Sequence, residues 1–302
     1  MKRRAWKLVS VVAVASIGLS ACSVPAALSV AHHTYGGSPY LQVHFTASLT
    51  SSDPALAHTA AALAHLSFDL NEQSRAGTPI SQSLNQVNQD LVVWHGTTRV
   101  ATFLESQSNL YFNVNFTTLA QVPGASSNSS SLAALSLLLG NRWIELPFAL
   151  ITQYAHSLKG LKLTASNLAT GQNQLLNALV SLLARGTTTP TATGFEQAGS
   201  MAQLANALAS QFKGVGLPPS SLSKVKGSYA LDVTMSGATA TAVVVRLVTP
   251  TAKHGDAVVK VSATIAHQAL AVAVPASPLV ITPALLKQFG AGGGSLLGGS
   301  LG

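Results

Sequence analysis

Residues 41–50 read LQVHFTASLT, and this stretch decides the fold because its apolar and polar side chains alternate without a break. The apolar positions are Leu41, Val43, Phe45, Ala47 and Leu49, and polar residues and one histidine stand between them. A period of two places all the apolar side chains on one face of an extended chain. The stretch therefore predicts a half-buried β-strand that opens a folded domain.

The same alternation returns in two blocks further along the chain. The first block covers residues 66–71, 92–94, 100–104 and 110–116, with a turn at His95-Gly96-Thr97-Thr98. The second block covers residues 229–235, 243–247, 259–261 and 270–274, with turns at Gly237 and at residues 254–256. Short alternating runs separated by such turns predict antiparallel strands joined by hairpins.

Helical spacing replaces this alternation at two places. Asp53-Pro54 begins an alanine-rich stretch to about Leu66, with an N-capping residue and a first-turn proline. Residues 142–146 are short and extended, and helical spacing then returns at 148–158 and in the central region 160–212, where it predicts two amphipathic helices. The order of elements predicts an α+β fold, in which helices pack on one face of a curved antiparallel sheet.

The N-terminus has the layout of a secretory signal peptide. Four basic residues precede an apolar run at residues 8–19, and the segment ends in Leu19-Ser20-Ala21-Cys22, which resembles a bacterial lipobox. We therefore expect residues 1–21 to be a signal peptide, with Leu19, Ser20 and Ala21 recognised by the peptidase and Cys22 carrying the lipid. The alternatives are a transmembrane anchor or an incidental cysteine, but the run falls short of the roughly 20 residues that cross a bilayer.

These features predict the location of the protein and the division of the chain into segments. Acyl chains on Cys22 would hold it on the extracytoplasmic face of the cell membrane, because stable attachment takes two lipid signals. Residues 22–39 are expected to be a flexible tether, residues 40–283 a single domain, and residues 284–302 a disordered Gly/Ser/Leu-rich tail.

Composition limits the classes of function. Four of the 17 basic residues lie in the predicted signal peptide, so thirteen remain against nine acidic residues, a net charge of +4. The remaining basic residues are scattered, which argues against a nucleic-acid partner. The chain is 47% hydrophobic and only 9% charged, with a mean hydropathy of +0.36. This apolar excess predicts either an unusually apolar core or a cavity lined by apolar side chains.

The sequence proposes no catalytic or metal centre. It has no Gly-x-Ser-x-Gly elbow and no phosphate-binding loop, and its Ser-x-x-Lys matches at residues 221–226 lack the partner motifs of the penicillin-recognising enzymes. His58 and His65 share one predicted helix but stand about 10 Å apart along its axis, too far to share an ion. We therefore predict a protein that is not an enzyme and needs no cofactor or metal; an envelope hydrolase is the third-ranked alternative.

Three fragments resemble a known family. They are Asp90-Leu91-Val92-Val93, Leu110-Tyr111-Phe112-Asn113-Val114 and the segment from Leu139 to Leu146. In this order they resemble actinobacterial envelope lipoproteins of the LppX/LprG type and, more distantly, the LolA/LolB carriers. The resemblance spans roughly residues 40–283. It implies an incomplete β-barrel with helices across its concave face, enclosing an apolar cavity that holds the acyl chains of a lipid or glycolipid.

The apolar strand and helix positions are the candidates for lining such a cavity. These are Phe45, Phe68, Trp94, Phe112, Phe116, Leu179, Leu183 and Leu204. The first hypothesis is a membrane-anchored lipoprotein that binds lipid for transfer or envelope maintenance. The alternative is a structural or interaction lipoprotein with a filled core and no lipid ligand, since alternating Phe and Leu positions are more often core than cavity.

Overall fold

The computed structural model describes residues 37–82, 86–106, 109–122, 133, 136–137, 139–150, 187–205, 226–251 and 255–285. The predicted signal peptide, the lipid-attachment site Cys22, most of the tether and the tail from residue 286 lie outside these ranges. So do Leu179, Leu183 and most of the central region in which helices are predicted.

The described chain is dominated by one open sheet of twelve strands in the order β12-β6-β5-β4-β3-β2-β1-β11-β10-β9-β8-β7. Neighbours are antiparallel, except that β12 runs parallel to β6. The sheet is not closed into a barrel. The strands are β1 Tyr40–Thr50, β2 Leu66–Ser74, β3 Val87–His95, β4 Thr98–Ser106, β5 Asn109–Val114, β6 Ile144–Pro147, β7 Thr187–Thr191, β8 Gly194–Ser200, β9 Ser228–Ser236, β10 Thr239–Pro250, β11 Asp256–Ala266 and β12 Leu279–Val280.

Strand β1, which contains the alternating residues 41–50, lies in the middle of the sheet. It pairs with β2 on one side and with β11 on the other, so it joins the two predicted blocks of strands. Its burial alternates as its sequence does, with Leu41, Val43 and Phe45 buried. The prediction of a half-buried opening strand is confirmed.

The described helices are short. A 3₁₀ turn at Pro54–Leu56 leads into α1, Ala57–Ala64, and the Asp53 side chain accepts a hydrogen bond from the Ala55 amide at 2.9 Å. Helix α2 covers Phe116–Leu119, and residues 148–150 and 201–205 are also helical. Helix α1 was predicted at this place with this cap. The predicted packing of helices across a concave face stays a prediction, because it depends mainly on residues outside the described ranges.

One part of the predicted helical region is a β-hairpin. Strands β7 and β8 pair with each other, and β8 also pairs with β9, so residues 187–200 extend the sheet at its edge. The prediction of helix across residues 160–212 is wrong for this stretch. Its threonine-rich sequence supplies the reason, because β-branched residues favour strands.

The segment at residues 267–278, which we call the strap, also differs from its prediction. It was expected to contain a strand at Leu270–Val274, but it crosses the sheet and joins the edge strand β12. Side-chain amides hold its backbone: the Asn88 amide donates to the Val272 carbonyl at 3.3 Å, and the Val272 amide donates to Gln73 Oε1 at 2.8 Å. Pro275 follows directly after the predicted strand and Pro278 lies shortly beyond it. Both lack the N–H that a strand interior needs, so a regular strand cannot continue past Val274.

Candidate functional site

The two faces of the sheet can be followed from strand to strand by register. We call the face that carries Phe45 the core face, and the other the outer face. Phe45 stands opposite Phe68 and Phe68 opposite Val93, while the next row runs through the residues Val43, Leu70, Leu91, Phe103, Phe112 and Ile144. The core face is therefore apolar along these two rows, from β1 to β6.

On one half of the sheet the core face is filled. Residues of β1, β2, β9, β10 and β11 form one buried cluster with Leu63 of α1 and with Ile80. Phe45 is only 1% exposed and stacks on Phe68 with ring centroids 5.8 Å apart. Leu204 is also buried. For Phe45 and Leu204, two of the predicted lining residues, the structure therefore shows packed core.

On strands β4 and β5 the pattern of burial is reversed. There the outer-face residues Leu104 and Tyr111 are buried, and they pack with Val272 of the strap and with Trp143. The core-face residue Phe103 is 39% exposed, although it lies in the middle of the sheet between Leu91 and Phe112. The strap covers the outer face here, and this accounts for the burial of Leu104 and Tyr111.

Five core-face side chains of β3, β4 and β5 share this incomplete burial and lie on neighbouring positions of the sheet. We call them the apolar strip: Leu91, Val93, Phe103, Leu110 and Phe112. Phe112 was predicted to line a cavity and belongs to the strip, and Phe68 lies next to it, opposite Val93. Leu91 packs against the filled cluster and Phe112 against a second buried cluster of Ile144, Leu150 and Ile281, so Phe103 is the most exposed member of the strip.

A row of polar side chains borders the apolar strip on the same face. Glu72 stands opposite Gln89, and Gln89 stands opposite Glu105. Glu72 is 9% exposed, and its carboxyl makes no hydrogen bond with the described residues. Burial, and secondarily the charge of Glu105, raises the pKa of Glu72 to about 7. Burial also raises the pKa of Glu105.

The raised pKa gives Glu72 a role that an ordinary carboxylate lacks. Near neutral pH a large fraction of Glu72 is protonated, so the group can donate a hydrogen bond as well as accept one. We name Glu72, Gln89 and Glu105 the acidic row. The acidic row is not among the sites predicted from the sequence, although continuing the alternation Leu66, Phe68, Leu70 by one step places Glu72 on the core face.

Trp94 was predicted to line the cavity, and the structure contradicts this. It stands opposite Ser67 on the outer face, and its indole N–H donates to Asp69 Oδ2 at 2.6 Å. The other oxygen of Asp69 is 2.6 Å from His44 Nδ1. The alternation of β3 explains the correction, because adjacent residues point to opposite faces and Val93 belongs to the core face.

The His44–Asp69 pair resembles part of a catalytic arrangement but is incomplete. Asp69 orients the imidazole, and half of the His44 side chain is exposed. In the described part of the chain, however, no serine, threonine or cysteine hydroxyl or thiol is hydrogen-bonded to His44. Near this pair, burial raises the pKa of Asp90. The hydrogen bond from Asn71 lowers the pKa of Asp90, and the charge of Asp69 raises it further. These contacts build a polar outer surface and do not assemble a nucleophile.

Phe116 was predicted as the last apolar position of a strand, and this prediction is wrong. Strand β5 ends at Val114, and the Asn115 side chain accepts a hydrogen bond from the Thr118 amide at 3.0 Å, which caps α2. Phe116 is the first residue of that helix and is buried. An asparagine cap competes with strand continuation, because its side chain satisfies an amide that a helix start leaves free.

Comparison with known proteins gives no guide to this site: no family model, no curated protein and no solved structure matches the chain. Within the described ranges, no helix has the length and apolar character needed to cross a membrane. The same residues contain no group of three or more His, Cys, Asp or Glu side chains placed to hold a metal ion.

Proposed function

We propose that this chain is a lipid-anchored envelope protein that binds the acyl chain of a lipid or glycolipid along the apolar strip. The observation that carries the proposal is Phe103, which is 39% exposed among apolar neighbours on the core face of β3, β4 and β5. Leu91 and Phe112, both partly buried, flank it in register, so apolar side chains adjoin the exposed ring on both neighbouring strands. The predicted lipid on Cys22 would keep this surface beside a membrane, the source of such ligands.

The dimensions of the core face suit a long apolar ligand. Strands lie about 4.8 Å apart, so the apolar strip from Leu91 on β3 to Phe112 on β5 spans about 10 Å across the sheet, and the buried residues Leu70 and Ile144 extend the apolar row to about 19 Å. Each methylene removed from water contributes about 0.8 kcal/mol, and a dozen of them would supply on the order of 10 kcal/mol before ordering costs. The acidic row lies at the border of the strip, where a polar headgroup of the same ligand would meet hydrogen-bonding partners.

The resemblance to LppX/LprG-type lipoproteins is a further reason for this proposal, since it implies an incomplete β-barrel whose apolar cavity holds acyl chains. The filled half of the core face favours a second candidate, an interaction lipoprotein whose exposed strip contacts another protein. The two candidates differ in the chemistry of the occupant, and an acyl-chain probe distinguishes them.

A photoactivatable palmitic acid tests the proposal directly. It is added to the full-length protein after removal of detergent, and the cross-linked peptides are identified by mass spectrometry. We expect cross-links in residues 91–93, 103–105 and 110–112, and their competition by unlabelled palmitic acid. Absence of cross-links from these three segments, with cross-links elsewhere or none at all, would overturn the proposal.

A matched pair of variants sharpens this experiment. Phe103→Gln removes the most exposed member of the strip, whereas Leu270→Gln changes a residue of the strap with a similar exposure of 37%. We expect about five-fold weaker palmitate binding for Phe103→Gln, which corresponds to about 1 kcal/mol of lost apolar contact. Leu270→Gln should bind as the parent does. Equal binding by both variants would favour the interaction protein.

A further inference from the structure

A pocket on the outer face has a chemistry that the acyl-chain proposal does not use. It has a volume of about 360 Å³ and lies where β4 begins and β5 ends. Six side chains line it: Thr98, Arg99, Asn113, Asn115, Asn141 and Trp143. Asn113 adjoins Phe112 on β5 and therefore faces away from the apolar strip. The pocket and the strip are thus on opposite faces of one sheet.

Two of the asparagines are fixed by hydrogen bonds to the surrounding chain. Asn113 is buried and donates through Nδ2 to the Asn141 carbonyl at 2.7 Å. Asn115 uses its side-chain oxygen to accept from the Thr118 amide, and its own amide N–H groups donate to none of the described residues. The wall of the pocket is therefore positioned by contacts that do not consume all of its hydrogen-bonding capacity.

The unused groups are mostly donors. Neither the Arg99 guanidinium nor the Trp143 indole N–H bonds to any described residue, and Asn113 Oδ1 likewise accepts no hydrogen bond there. Directly opposite Asn113 stands Thr102, whose buried hydroxyl is hydrogen-bonded to none of the described residues. Unused donors therefore outnumber unused acceptors in the pocket. The acceptor that is held in a fixed orientation is Asn113 Oδ1.

Charge selects among the ligands that such a pocket could take. Arg99 is the only charged residue among the six, so no carboxylate of the lining neutralises it. Guanidinium groups bind phosphate and carboxylate oxygens through paired, charge-assisted hydrogen bonds. A volume of about 360 Å³ lies in the range of small-molecule sites and exceeds the size of a bare ion. A phosphate carried on a small hydroxyl-bearing group fits both the donors and the acceptor Asn113 Oδ1.

We propose that this pocket binds the phosphate of a small organic phosphate ester, with Arg99 as the principal contact, and Trp143 and Asn115 as further donors. The hydroxyl groups of the ester would meet Asn113. The same chemistry occurs in the headgroup of an anionic phospholipid and in a soluble ester such as glycerol 3-phosphate. The inference does not rest on the acyl-chain proposal, because the two sites share no residue.

Titration of the full-length protein with glycerol 3-phosphate tests the inference, with the fluorescence and the indole N–H resonance of Trp143 as readouts. We expect saturable binding that weakens as salt is added, and at least ten-fold weaker binding for Arg99→Gln. Arg99→Lys keeps the charge but loses the forked geometry, so its affinity should be intermediate. Arg246→Gln is the control, since it removes the same charge from another exposed position on the sheet.

The arms of the experiment separate the possible outcomes. Vesicles of phosphatidylcholine with and without phosphatidic acid show whether a lipid headgroup binds in place of the soluble ester; preference for either source supports the inference. Equal affinities of Arg99→Gln and Arg246→Gln would overturn it. So would equal binding of glycerol and glycerol 3-phosphate, which would make the pocket a neutral polyol site. Loss of palmitate binding with retained phosphate binding would refute only the acyl-chain proposal.

Discussion

The two ends of the row Val43–Leu70–Leu91–Phe103 belong to the same face of the same sheet, but Val43 is buried and Phe103 is exposed. At β1 the core face is buried, and the outer face carries exposed polar groups such as His44. At β4 the outer face is buried under the strap, while Phe103 on the core face is exposed. Which face of a strand becomes buried therefore depends on the chain segment that packs against it, and not on the alternation of the strand alone.

The largest expected difference between the halves comes from truncating one phenylalanine in each. Phe45→Ala should lower the free energy of unfolding by about 4 kcal/mol, because it leaves a cavity in a filled cluster. Phe103→Ala should lower it by about 1 kcal/mol or less, because the ring is already partly in water. Chemical denaturation followed by circular dichroism measures both values. Equal losses would mean that β4 is packed as β1 is, and the comparison would fail.

Glu72 lies at the boundary between the halves and should make stability depend on pH. Its pKa of about 7 in the folded state is above its ordinary value of 4.5, so folding favours the protonated carboxyl. The stability contributed by this group is therefore complete below pH 4.5, is lost as the pH rises towards 7, and changes little above that. The loss should be about 3 kcal/mol, from about 1.4 kcal/mol per pKa unit.

The matched variants for this prediction are Glu72→Gln and Glu196→Gln. Glu72→Gln should flatten the decline in unfolding free energy between pH 4.5 and 7, because a neutral amide does not ionise. Glu196 is exposed at the other end of the sheet, and its replacement should leave the slope as in the parent. A parental slope in the Glu72→Gln protein would show that the acidic row does not set the pH dependence.

The smallest predicted effect concerns the strap. Val272→Ala removes two buried carbon groups from the cluster with Leu104 and Tyr111 and should cost about 1.5 kcal/mol of stability. Val274→Ala, at an exposed position two residues further on, should cost less than about 0.5 kcal/mol. Thermal unfolding of the two proteins measures the difference. Indistinguishable midpoints would mean that the strap does not cover β4 and β5.

Much of the sheet could be predicted from sequence because period-two alternation is a local property. It placed β1, the β3–β4 turn at Gly96 and most strands of the second block. It could not say which face each strand presents to the core. Thr102 and Leu104 of β4 lie on the outer face, whereas Leu110 and Phe112 of β5 lie on the core face, so two similar patterns point in opposite directions. The register of β3 with β4 also shifts between Val93 and Trp94, which makes the face of each residue harder to predict from the alternation alone.

The candidate sites were harder to predict than the strands because they depend on pairing between distant segments. Of the residues predicted to line a cavity, Phe112 lies on the apolar strip and Phe68 beside it, whereas Trp94 lies on the outer face and Phe116 begins a helix. Glu72 and Glu105 are 33 positions apart in the chain and become neighbours only through β3. The polar pocket joins Arg99 to Asn141 across three strands. No local pattern contains that information.

Cysteine accessibility tests the central claim, the reversal of burial that leaves the apolar strip open to an acyl chain. Four variants are compared: His44→Cys, Phe45→Cys, Phe103→Cys and Leu104→Cys; the parent chain, whose only cysteine is Cys22, gives the background. We expect fast labelling by a maleimide at positions 44 and 103, slow labelling at 45 and 104, and protection by palmitate at 103 alone. Slow labelling at 103, or fast labelling there that palmitate leaves unchanged, would contradict it.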